Sequence, residues 1–175
     1  DVVTLPIVQK DNKLEGLITI NDIAKSYMDV YDSTVLALAR TPISNLLEVL
    51  DGTLICGNPH ARIVNGKVMI GAANVDIIDA CIEEDDVVIV ADREDTQKEA
   101  IILGASCLIV CLNAKVPSDI LELAKQYQCN IITTYLDTYS AARILNQSIP
   151  IRHFMRRTNL VTFQLDDTLD SVKDV

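Results

Sequence analysis

The chain has no tryptophan and few aromatic residues of any kind; two Phe and five Tyr make up 4% of it. A core built on stacked rings is therefore excluded. With 49% hydrophobic residues, the interior must be aliphatic, packed from Ile, Val, Leu and Ala. Basic residues are scarce as well: 15 Lys and Arg against 25 Asp and Glu give a net charge of −10. Nonspecific nucleic-acid binding needs clustered Lys and Arg, and an anionic membrane surface attracts the same residues, so neither partner is expected. No apolar run approaches the ~20 residues of a membrane span. No leader pattern opens the chain, and a cytoplasmic location is expected.

Metal and redox motifs are missing too. The five cysteines (Cys56, Cys81, Cys107, Cys111 and Cys129) form no Cys-x-x-Cys, and neither histidine stands at ligand spacing from one. Mostly set in apolar runs, they read as buried reduced thiols. His60 and His153 lie in different segments, and there is no Asp-His-His. A two-metal hydrolytic centre needs several convergent carboxylates and histidines, so no catalytic residue and no metal ligand is assigned here. There is no Gly-x-Gly-x-x-Gly and no P-loop.

At 175 residues the chain fits one medium domain, or one domain plus fragments. Three segments are visible: 1–33, 34–148 and 149–175. In the first, two short strands, 2–8 and 14–19, flank the polar turn 9–13, and a helix follows over 20–30. The middle segment opens with a helix at 43–50, Pro42 preceding it. Residues 53–56 and 62–70 read as strands, the second split by Asn65-Gly66, a strong hairpin signal. A short helix is expected over 74–82.

Then a strand-helix unit repeats. Strands at 87–90, 107–111 and 130–133 alternate with helices at 94–103, 118–127 and 137–145. Continuous apolar strands separated by amphipathic helices indicate an α/β fold with a parallel sheet covered on both faces. Ligands of such sheets sit at the carboxyl ends of the strands. Those ends carry Asp92-Arg93-Glu94-Asp95, Asn113-Ala114-Lys115 and Thr134 to Thr138. They form either a small polar pocket or plain helix caps at Glu94, Ser118 and Asp137. The last segment offers a strand at 160–163 and a helix opening at Asp166. Its basic cluster, Arg152 to Arg157, is either a solvated strand rim or a phosphate-facing edge. The two outer segments are each too short to be stable alone.

Gly16-Leu17-Ile18-Thr19-Ile20-Asn21-Asp22 is the most telling stretch. Thr-x-x-Asp before an apolar helix is a capping box. A hydroxyl and N–H groups at a helix start can also hold a phosphate, and a carboxylate one turn in can accept both hydroxyls of a ribose. Preceded by strand, turn and strand, and by Leu5-Pro6-Ile7-Val8, this stretch resembles the nucleotide-contacting part of a cystathionine-β-synthase-type (CBS) domain. Segment 1–33 resembles the C-terminal half of such a domain and 149–175 the N-terminal half of a second. Between them, Asp92 to Asp95, the run 103–110 and the run 133–142 resemble a DRTGG domain. Here Glu94-Asp95 replace the Thr-Gly-Gly of the motif.

A DRTGG domain between two partial CBS domains (α+β) is similar to the regulatory region of CBS-containing family II inorganic pyrophosphatases. The resemblance implies a homodimer sensing adenine nucleotides, with AMP or ADP inhibiting and diadenosine polyphosphates activating. AMP, ADP, ATP and diadenosine tetraphosphate are the implied ligands, and manganese or cobalt belongs only to a catalytic domain absent from these residues. The implied nucleotide contacts are Pro6, Thr19, Asp22, Arg156, Asn159, Leu160, Val161 and Thr162. A non-enzymatic dimerisation scaffold without nucleotide binding is the competing reading, and a small acyl- or phosphoryl-transfer enzyme using the Asp92-Arg93 crevice is a third.

Overall fold

A computed structural model of the chain describes residues 4–28, 32–72 and 80–163. They fall into two compact units: an inner one, Val30–Pro150, and a split one made of Asp1–Asp29 and Ile151–Val175. The two terminal segments, too short to fold separately, thus share one unit.

The inner unit holds a five-stranded sheet. Its strands are β3 (Thr53–Cys56), β4 (Val68–Ile70), β5 (Val87–Val90), β6 (Cys107–Val110) and β7 (Asn130–Thr133), in the order β3-β7-β6-β5-β4. β4 to β7 run parallel, and β3 closes the β7 edge antiparallel. Each parallel strand lies beside its predecessor, so successive right-handed crossovers put α4 (Glu94–Ile102) and α5 (Ser118–Gln126) on one face. That face is aliphatic: Val88, Val90, Leu108 and Val110 pack with Ala100, Ile101, Ile120 and Ala124. The alternate residues Ile89, Ile109 and Ile132 point the other way and are also fully buried. There α6 (Thr138–Ile144) meets β5, and the 3-10 turn Leu145–Ser148 meets α3 (Ile43–Val49). Thr134 Oγ1 donates to Leu50 O at 2.6 Å, and Asn45 Nδ2 to Ser148 O at 2.9 Å. A short helix, α2 (Val35–Leu38), adds Leu36 to the core.

Three expectations need correction. First, residues 62–70 are not a hairpin. Only Val68–Ile70 is a strand, and it pairs in parallel with β5, while Arg62 makes an isolated bridge to Pro42. A long-range anchor overrides the local turn signal: Asp86 Oδ1 accepts from Lys67 N at 2.8 Å, drawing the chain after Gly66 onto β5. Second, residues 160–163 form no strand among the described residues. Asn159, immediately before them, takes φ 55°, outside the extended region that a strand needs. Third, of the three expected caps only Asp137 acts as one, accepting from Ser140 N at 2.9 Å. Glu94 and Ser118 are the first helical residues, behind Arg93 and Pro117. The expected helix at 74–82 falls largely, and that opening at Asp166 wholly, outside the described residues.

Four cysteines are buried and all five are free, with Cys81 exposed. Burial pushes the Cys129 thiol up to about 12 and Cys111 to about 11, which suits inert core residues.

Gly66 has φ 78°, and a Cβ there would overlap the Asp85 carbonyl and lie 2.7 Å from Asp86 N. Gly66→Ala is expected to lower stability by about 1–3 kcal/mol. An unchanged thermal midpoint would show that this turn relaxes freely.

Candidate functional site

In the split unit, β1 (Thr4–Val8) and β2 (Leu14–Thr19) form an antiparallel hairpin with Pro6 opposite Leu17. The turn is tied by Gln9 N to Lys13 O at 2.8 Å, with Asn12 at φ 63°. Helix α1 (Ile20–Met28) starts directly from β2, so Thr19 stands at the strand-helix junction and Asp22 in the first turn.

Thr19 N and Thr19 Oγ1 both donate to Asp22 Oδ2, at 2.8 and 2.7 Å, and Asp22 N donates back to Thr19 Oγ1 at 3.3 Å. This is the reciprocal capping box, built with an Asp instead of a Glu or Gln. The other carboxylate oxygen faces the second chain segment. Asp22 Oδ1 accepts from Arg156 Nη2 at 3.3 Å and Nε at 3.4 Å. The Thr19 side-chain hydrogen bond, then its backbone N–H, then Arg156, hold Asp22 below the usual carboxylate range. It is therefore an ionised, acceptor-only group at neutral pH.

Arg156 is fixed by its backbone. Its N donates to Leu17 O at 2.8 Å and its O accepts from Leu17 N at 3.0 Å. That approach needs Gly16, where a Cβ would come within 2.7 Å of Arg156 O and 2.9 Å of Met155 Sδ. Met155 is buried there, and Arg157 Nη2 reaches Glu15 Oε1 at 3.0 Å. Two ion pairs thus flank one backbone bridge along β2.

Of the expected contacts, Thr19, Asp22 and Arg156 come together. Pro6 lies exposed on β1, next to Leu17 across the hairpin. Asn159, Leu160, Val161 and Thr162 follow in irregular chain, exposed except for a half-buried Leu160. Gly16 opened the stretch singled out in the sequence, but its close approach to Arg156 and the contacts of Met155 and Glu15 were not legible there. The one available signal was opposite charge, Glu15 against Arg157.

Several strand-end residues of the inner unit are engaged with one another or with the backbone. Arg93 pairs with Asp95 at 2.8 Å, Thr134 holds Leu50 O, Asp137 caps α6, and Asn113 N donates to Thr134 O at 2.8 Å. The parallel strands also run in sequential order, leaving no switch point between them to open a crevice.

Known proteins agree with this architecture. The family model described as the DRTGG domain matches residues 45–148. A cobalt-dependent inorganic pyrophosphatase from Clostridium perfringens is 34% identical over 97% of this chain, and a probable manganese-dependent inorganic pyrophosphatase from Thermotoga maritima is 32% identical over 98%. The chain spans about a third of their length, 31% in each case. Among solved structures, the CBS and DRTGG domains of the regulatory region of the C. perfringens pyrophosphatase, complexed with the activator diadenosine tetraphosphate, superpose with a TM-score of 0.90. That match has 33% identity and covers 98% of this chain and 74% of the other. The chain accordingly belongs to the DRTGG domain family.

Proposed function

We propose that this chain is the adenine-nucleotide-sensing regulatory part of a metal-dependent inorganic pyrophosphatase and carries no catalytic centre itself. The observation behind the proposal is the near full-length likeness to a regulatory region solved with diadenosine tetraphosphate. In this reading residues 1–33 are the C-terminal half of one CBS domain, 34–148 the DRTGG-like domain, and 149–175 the N-terminal half of a second CBS domain. Asp22 accepts the ribose hydroxyls and Thr19 holds the helix start that presents it. Arg156 meets phosphate. Pro6 and the backbone of Asn159, Leu160, Val161 and Thr162 line the base.

AMP or ADP inhibits, and diadenosine polyphosphates activate by bridging paired sites in a cytoplasmic homodimer. Cobalt or manganese serves the catalytic part. Among the described residues no three His, Cys, Asp or Glu side chains converge as metal ligands, so these residues do not fit that metal. The net charge of −10 disfavours nucleic acid and anionic membrane as partners. Among the described residues no helix is long and apolar enough to cross a membrane.

Calorimetric titration of AMP, ADP, ATP and diadenosine tetraphosphate into this chain tests the proposal. Binding of at least one, with the diadenosine compound taking two sites per molecule of ligand, is expected. A dimer by sedimentation that binds none of the four would leave the scaffold reading instead.

A further inference from the structure

Both oxygens of Asp22 have partners within the chain. Oδ2 is held by the Thr19 N–H and hydroxyl, which are local parts of the helix cap. Oδ1 is held by the guanidinium of Arg156, which comes from a segment 134 residues away. A ribose hydroxyl approaching Oδ1 of this carboxylate meets that guanidinium first. The Asp22 side chain is 10% exposed and the Arg156 side chain 61%, so the arginine lies on the solvent side of the pair. Its main chain is pinned to Leu17 by two hydrogen bonds, so the side chain can swing without moving the backbone.

We propose that Arg156 is the specificity residue of this site: paired with Asp22 it closes the ribose position, and the site thereby selects nucleotides over nucleosides. The inference rests on the nucleotide reading above. A nucleoside must push the guanidinium into water and receives nothing in exchange for the broken pair. A nucleotide brings a phosphate, to which the same guanidinium can donate two charge-assisted hydrogen bonds as it leaves the carboxylate. One anion replaces another as the arginine's partner while Asp22 turns to the ribose. The device is modest in size, since an exposed ion pair alters an equilibrium by about two- to fivefold.

The test is to measure adenosine and AMP affinities, adenosine by competition against labelled AMP, in the wild-type chain and in Arg156→Ala. Arg156→Gln serves as a second variant that keeps a polar side chain, and Arg157→Ala controls for loss of a neighbouring charge. In Arg156→Ala and Arg156→Gln, adenosine should bind about two- to fivefold tighter and AMP about tenfold weaker. In the wild type, raising salt from about 0.05 to about 0.5 M should move both ligands in those same directions, because screening weakens the pair and the phosphate contact alike. Arg157→Ala should leave the adenosine affinity unchanged.

Adenosine binding that is unchanged, weaker or undetectable in both Arg156 variants, while AMP still binds the wild type, overturns the inference and leaves the nucleotide reading intact. The same adenosine gain in Arg157→Ala overturns it too, as a general charge effect. Failure of AMP to bind the wild type overturns the nucleotide reading and this inference together.

Discussion

Asp86→Ala is expected to lower the stability of the inner unit by about 3–5 kcal/mol, a large share of the 5–15 kcal/mol of a typical domain. Asp86 is fully buried. Its Oδ1 accepts from Lys67 N at 2.8 Å and its Oδ2 from Glu83 N at 3.0 Å. Its own carbonyl accepts from Ser106 N at 3.0 Å, and Val87 N donates to Lys67 O at 2.9 Å. The carboxylate thus ties the chain entering β4 to the turn before β5, while the backbone carbonyl of the same residue reaches the start of β6. Truncation strands two backbone donors, each costing about 1–3 kcal/mol when left unsatisfied. Asp86→Asn should cost less, because its single carbonyl oxygen still serves one of them. The Lys67 ammonium lies 3.8 Å away and is partly exposed, so Lys67→Met should cost far less than either. Urea unfolding monitored by circular dichroism measures all three. A loss below about 1 kcal/mol for Asp86→Ala would mean that water takes over the acceptor role.

The same anchor marks the limit of what the sequence reveals. The runs that became β5, β6 and β7 are continuous and apolar because both of their faces are covered, so composition alone located them. β3 was legible as a strand, but nothing local told that it would run antiparallel along β7. Asn65-Gly66 carries a hairpin signal that is chemically sound; it failed because Asp86, 19 residues past Lys67, captures the backbone just beyond the turn. Residues 160–163 have strand composition, yet they pair with no strand among the described residues and remain irregular chain. At the candidate site, Thr19 and Asp22 were legible because a cap is a contact between residues three apart. The Arg156 pairing was not, since it spans 134 residues and depends on an absent Cβ at Gly16.

AMP should bind Asp22→Ala about ten- to hundredfold more weakly than the wild-type chain. Thr19, and after it Arg156, hold the Asp22 carboxyl below the usual carboxylate range, so its cap is in force at neutral pH and is lost only as pH falls through that lowered value. At neutral pH the group therefore offers only acceptors, the chemistry that two ribose hydroxyls require. Alanine removes those acceptors and the helix cap together, so the variant alone does not separate the two roles. Asp22→Asn does. Its amide oxygen can still take the Thr19 N–H and hydroxyl, preserving the start of α1, while its NH₂ group faces the ribose as a donor and repels the incoming hydroxyl hydrogens. Circular dichroism should then show the wild-type helix content in Asp22→Asn, and calorimetry should show AMP affinity reduced by about tenfold or more. If Asp22→Asn binds AMP as well as the wild type does, Asp22 is a helix cap and the ribose has another partner.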